Sequence, residues 1–155
     1  MKIEPVYTTR ATEAKIANRA VAVHCSDHRF QEAFREFLTE GLGLITYTPL
    51  SIPGGGHFGS SEEVMPKFAK AGFQSVAFLL KRTGAERIIL IGHADCLFFK
   101  DQLQFFFIDD GLNQKQFASL LKARRVLRER FEGAIVEAYL ADIGPDGHVK
   151  FLKIE

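Results

Sequence analysis

Residues 20–30 read AVAVHCSDHRF, an apolar run that ends in a thiol, a carboxylate, an imidazole and a guanidinium within the five positions Cys25 to Arg29. A short run that is apolar at every position marks a strand buried on both faces, the kind used in parallel sheets. The chemistry then falls at the C-terminal end of that strand. Residues 87–96, RIILIGHADC, repeat the arrangement, with His93 and Cys96 following a second continuous apolar run.

Outward from these two strands, helical and extended patterns alternate. Phe30, Phe34, Phe37 and Leu38 share a helical face that stops at Gly41. LITYTPL (44–50) is β-rich and leads into the glycine loop SIPGGGHFGSS (51–61). Ser60 and Glu63 have the spacing of a capping box, while Pro66 implies a kink or a later start of the next helix. The aromatic stretch LFFKDQLQFFFI (97–108) precedes a helix from about Gln114 to Phe131, with Phe117, Leu120, Leu121, Leu127 and Phe131 on its apolar side. AIVEAYLADI (134–143), a GPDG turn and HVKFLKI (148–154) predict a closing β-hairpin.

The predicted fold class is therefore α/β: a mainly parallel central β-sheet flanked by helices, with a C-terminal β-hairpin. It forms a single domain over residues 20–155, preceded by an N-terminal arm at 1–19. Right-handed crossovers put the C-terminal ends of the parallel strands on one edge, so Cys25 and His93 converge where the sheet changes direction.

Composition bounds the function. A 155-residue chain, 46% hydrophobic and 25% charged, reads as one soluble globular domain that buries about 70% of its unfolded surface. Twenty Lys and Arg balance nineteen Asp and Glu, and a net charge of +1 argues against nucleic acid or an anionic membrane as partner. With no run suited to a signal peptide or a membrane span, the expected location is the cytoplasm. The two cysteines are then reduced, which points to metal binding or catalysis.

Two thiolates and one imidazole, from Cys25, Cys96 and His93, make a zinc triad that leaves a fourth tetrahedral position for water or substrate. Zinc lowers the pKa of its water, although two thiolates weaken that effect relative to an all-histidine site. Asp27 and Arg29 stand beside the first ligand. While they pair, the carboxylate stays off the metal and can orient a water; if the pair breaks, Asp27 becomes a fourth ligand.

Cys-x-Asp-x-Arg followed by His-x-x-Cys resembles the β-class carbonic anhydrases, and the resemblance runs from about Ala20 to the final hairpin. It implies an α/β domain with zinc on Cys25, His93 and Cys96 and a catalytic dyad of Asp27 and Arg29. The implied reaction is reversible hydration of carbon dioxide to bicarbonate by a zinc-bound hydroxide, in a homodimer or higher homo-oligomer. Three positions differ from the usual family pattern. Leu97, Phe98 and Phe99 follow Cys96 where glycine is usual, Gly54, Gly55, Gly56 and His57 replace an Asn-Ala-Gly-Asn loop, and His28 sits where a small residue is common. Two alternatives stay open: a catalytically silent scaffold, with zinc or without metal, and a hydrolase of another small electrophile such as carbonyl sulfide or carbon disulfide.

Other motifs are read more plainly. His24, His28 and His57 are possible proton carriers, although strand alternation points His24 away from Cys25. Asp95 is expected to cap the following helix rather than brace a ligand. GGGHFGSS lacks the lysine of a phosphate loop, so its glycines serve close backbone passage beside the metal or a partner chain. Cys25 and Arg29 stand too close in sequence for the amide ring of a cysteine phosphatase. The basic stretch KARRVLRERF (122–131) is a solvated helix face, with Glu129 available to Arg125, and the phenylalanine run belongs to the core or a subunit interface.

Overall fold

The structure, a computed structural model, describes residues 4–104 and 112–155. Five strands form one sheet in the order β2-β1-β3-β4-β5. They are β1 (Ala20–His24), β2 (Thr48–Ser51), β3 (Arg87–His93), β4 (Ile135–Ile143) and β5 (Val149–Ile154). The first four are parallel, and only β4 and β5 pair antiparallel, as the closing hairpin requires. The predicted α/β class and the hairpin both hold.

The two apolar runs lie side by side at the centre, with Val21 opposite Ile88 and Val23 opposite Leu90. Strand alternation divides their side chains between two faces. Val21, Val23, Ile88 and Leu90 face α2 (Pro66–Thr83) and α4 (Leu112–Arg130), where they meet Phe73, Val76, Leu120 and Leu127. Ala20, Ala22, Ile89 and Ile91 face α1 (Gln31–Glu36) and its π-helical continuation Phe37–Gly41, meeting Phe30, Phe34 and Leu38. A sheet covered on both faces has no need of polar residues in its central strands, which explains the unbroken apolar runs.

Chain direction out of β1 decides where a site can form. β1 is followed by β2 on one side, whereas β3 lies on the other, so the crevice between β1 and β3 is the topological switch point. Cys25 directly follows β1, and His93 ends β3 at that crevice. The proline in β2, Pro49, is tolerated because β2 is an edge strand.

Two local expectations change. Ser60 forms no capping box; its hydroxyl donates to the His57 carbonyl at 2.9 Å and meets Ser119 Oγ at 2.6 Å, and α2 starts late, with Pro66 in its first turn. Helix α4 presents Gln116, Leu120, Ala123 and Leu127 inward, leaving Phe117 and Leu121 40% and 39% exposed. Of the phenylalanine run, Phe98 and Phe99 are half-buried in α3 (Leu97–Gln104), whereas Phe105, Phe106 and Phe107, also expected to be buried, lie outside the described residues. Residues 4–17 are exposed.

Candidate metal centre

Cys25, His93 and Cys96 converge at the switch point, all buried, with Cys25 Sγ, Cys96 Sγ and a His93 ring nitrogen within 4.8 Å of one another. The two sulfurs stand 4.0 Å apart. His93 lies wholly inside, its ring 4.3 Å from that of Phe30, and its Nδ1–H donates to the Ala94 carbonyl at 2.8 Å. That hydrogen bond fixes the tautomer and leaves the Nε2 lone pair facing the sulfurs with no hydrogen-bond partner in the structure. A buried, unpartnered nitrogen costs folding energy unless something binds it. The donor set therefore fits a metal ion that takes sulfur and imidazole ligands.

Backbone groups complete the surroundings of the sulfurs. The Gly54 N–H points at Cys25 Sγ from 3.4 Å. Gly54 sits at φ 75°, and a Cβ there would fall 2.4 Å from the Phe98 ring, so glycine is needed for this approach. The hydrogen bond between the two thiols pulls Cys25 well below its usual range, with the Asp27 and Gly54 amides adding to the effect. The same hydrogen bond, together with burial, pushes Cys96 up. The two thiols are thereby set apart, with Cys25 the more readily ionised of the pair.

Asp27 and Arg29 meet as expected. Arg29 grips the carboxylate side-on, with Nη2 2.7 Å from Oδ2 and Nε 3.1 Å from Oδ1, while its backbone N–H also reaches Oδ1 at 3.0 Å. These contacts hold the Asp27 carboxyl down at about 2. Its Oδ2 lies 4.0 Å from His93 Nε2, so the carboxylate borders the metal cluster without joining it.

Three-dimensional comparison places this arrangement among known folds. The structure superimposes on a carbonic anhydrase from Glaciozyma antarctica with a TM-score of 0.57 at 16% identity, covering 90% of this chain and 83% of that one. It matches the β-carbonic anhydrase isoform I of the protozoan Trichomonas vaginalis with a TM-score of 0.52 at 14% identity, over 93% and 88% of the two chains. The chain has the β-carbonic anhydrase fold. Neither family models nor curated proteins match the sequence. The likeness is thus one of fold, spanning nearly the whole chain at low identity.

Within this β-carbonic anhydrase fold, the histidines fare differently from one another. His57 is buried, with Nδ1 2.8 Å from Ser119 Oγ and its ring tilted against that of Phe99 at 4.4 Å between centroids. Burial, and after it His93, lowers it to about 3, which favours the neutral form. His24 is buried against Phe34 with Nδ1 bonded to the Cys25 carbonyl, and burial lowers its pKa too. Only His28 of the three is exposed. Asp95 is not seen to cap a helix: its carboxylate takes Arg29 Nη1 and Lys100 Nζ.

Sequence reasoning missed Gln31, whose side-chain amide donates to the Cys25 and Asp27 carbonyls at 3.0 and 2.6 Å and so stiffens the ligand turn. It also missed Lys100. Gln31 gives no signal in a sequence, since a polar residue opening a helix is ordinary.

Proposed function

We propose that the chain is a zinc enzyme catalysing reversible hydration of carbon dioxide to bicarbonate, with Cys25, His93 and Cys96 as ligands and Asp27 and Arg29 as its catalytic pair. One observation carries this reading: two buried sulfurs and an unpartnered buried imidazole nitrogen stand within 4.8 Å at the switch point of a β-carbonic anhydrase fold. When bound, zinc supplies the Lewis acidity that lets water act as a nucleophile near neutral pH.

The protein's own groups do the rest. Arg29 keeps Asp27 ionised, so at neutral pH the carboxylate accepts a hydrogen bond and orients a water beside the ligands. Gly54 N–H and the fixed His93 tautomer hold two ligands in place before any ion arrives. His28, exposed and adjacent to Asp27, is placed to exchange protons with solvent. The domain that does this spans 20–155, with 1–19 as an arm, in a cytoplasmic homodimer or higher oligomer. Among the described residues, the outer edge of β2 is unpaired, and Phe78, which lines a groove with Pro49 and Leu50, is 59% exposed. No helix among the described residues is long and apolar enough to cross a membrane.

Stopped-flow hydration of carbon dioxide by zinc-loaded protein tests the proposal. The rate should exceed both buffer and a Cys96→Ser variant; a rate equal to both contradicts it.

One contact favours a silent scaffold as the second reading. The Phe98 ring packs against Gly54 and stands 5.2 Å from Phe68, directly beside the amide that faces Cys25. If the rings after Cys96 close the pocket, replacing Leu97 and Phe98 with glycine should restore turnover to an otherwise inactive protein. Hydrolysis of carbonyl sulfide or carbon disulfide would use the same groups, and assaying those substrates beside carbon dioxide separates the two.

A further inference from the structure

Arg29 is held by more than Asp27. Its Nη1 donates to Asp95 Oδ2 at 3.2 Å and its Nη2 to the Asp95 carbonyl at 3.3 Å. The other Asp95 oxygen, Oδ1, is taken by Lys100 Nζ from α3. Four alternating charges thus run from Asp27 through Arg29 and Asp95 to Lys100, joining the turn after β1 to the helix after β3.

The backbone is bent to make this possible. Asp95 has φ 60°, the only positive value at a non-glycine position among the described residues, and it lies between the ligands His93 and Cys96. Aspartate tolerates that region better than most residues, yet such conformations persist only where their surroundings enforce them. In this one both the carbonyl and the carboxylate of Asp95 reach Arg29, while Cys96 and His93 remain in the metal cluster.

The guanidinium is consequently gripped on two edges, Nε and Nη2 by Asp27, Nη1 and Nη2 by Asp95. Held by Asp27 alone, a side chain 42% exposed would exchange its partner for water, because exposed ion pairs are weak. Turning the doubly held fork means breaking two charge-assisted contacts together. Lys100 matters because it offsets the Asp95 charge, which otherwise draws Arg29 away from Asp27.

We propose that Asp95, braced by Lys100, is a positioning residue that locks Arg29 onto Asp27 and thereby keeps Asp27 off the metal. The inference rests on the zinc reading above and adds a control over the fourth ligand position.

The test uses full-length cobalt(II)-loaded protein, with metal per chain measured on each sample and azide as the probe anion, titrated by visible absorption. Asp95→Gly removes the carboxylate and suits the positive φ. It should bind azide about tenfold more weakly, because apparent affinity falls with the fraction of molecules whose position is open. Lys100→Met should shift affinity in the same direction by less, and since it alters only a partly exposed side chain it carries the test if Asp95→Gly does not fold. Adding Asp27→Asn to either variant should restore wild-type affinity, which a merely structural defect would not do. Normal metal content with unchanged azide affinity in both variants, a loss that Asp27→Asn leaves in place, or a metal-loaded wild type with no azide response would each overturn the inference. A wild type that takes up no metal at all would instead remove the zinc reading, and this inference with it.

Discussion

At the scale of single residues, the metal cluster is built by pre-set hydrogen bonds as much as by proximity. His93 presents Nε2 because Nδ1–H is committed to the Ala94 carbonyl, and the Cys25 thiol is drawn down by its hydrogen bond with Cys96 and by the Asp27 and Gly54 amides. In the proposed mechanism, Arg29 decides whether Asp27 stays off the metal. Arg29→Ala should let the carboxylate become a ligand and lower carbon dioxide hydration at neutral pH by about tenfold or more, while Arg29→Lys, a point charge without the fork, should not rescue it. Hydration at wild-type rate by Arg29→Ala would remove the dyad from the mechanism. Cys25, His93, Cys96, Asp27 and Arg29 were all legible because each closes or follows an apolar run. The role of Asp95 was not, since a positive φ and a partner 66 residues away leave no trace in local sequence.

At the scale of elements, the glycine loop after β2 joins the site to the sheet. A Cβ on Gly55 would lie 2.6 Å from the Ile91 carbonyl oxygen and 2.7 Å from the Cys25 nitrogen, and neither backbone atom can yield. Gly43 has a similar positive φ with open space around it. Gly43→Ala should therefore cost about 1 kcal/mol, the conformational penalty alone, and Gly55→Ala about 3 kcal/mol or more. Urea unfolding of both variants checks this, and equal losses would show that the close approach carries no weight. The loop's purpose could be read from its three glycines, and the strands from their unbroken apolar runs. The phase of α4 could not. Its apolar residues span a broad arc, and packing against Gly59, whose Cβ position lies 2.9 Å from that of Ala123, selects the small residue rather than Phe117 or Leu121 for the inner face.

For the whole molecule, buried neutral histidine makes stability depend on pH. Burial holds His57 down at about 3 in the folded protein against an ordinary 6.5, so between those values the unfolded chain binds more protons. Its contribution is complete above about pH 6.5 and is lost as pH falls toward 3. Metal-free protein should lose stability across this window, and His57→Gln should flatten the slope; an unchanged slope in urea titrations at stepped pH would contradict the assignment. The central claim, that a β-carbonic anhydrase fold here carries a zinc site, is tested most directly by metal content. Protein purified under reducing conditions without a metal-binding tag should contain about one zinc per chain by elemental analysis, and Cys25→Ser should contain almost none. No zinc in the wild-type protein, even after reconstitution, would contradict the account.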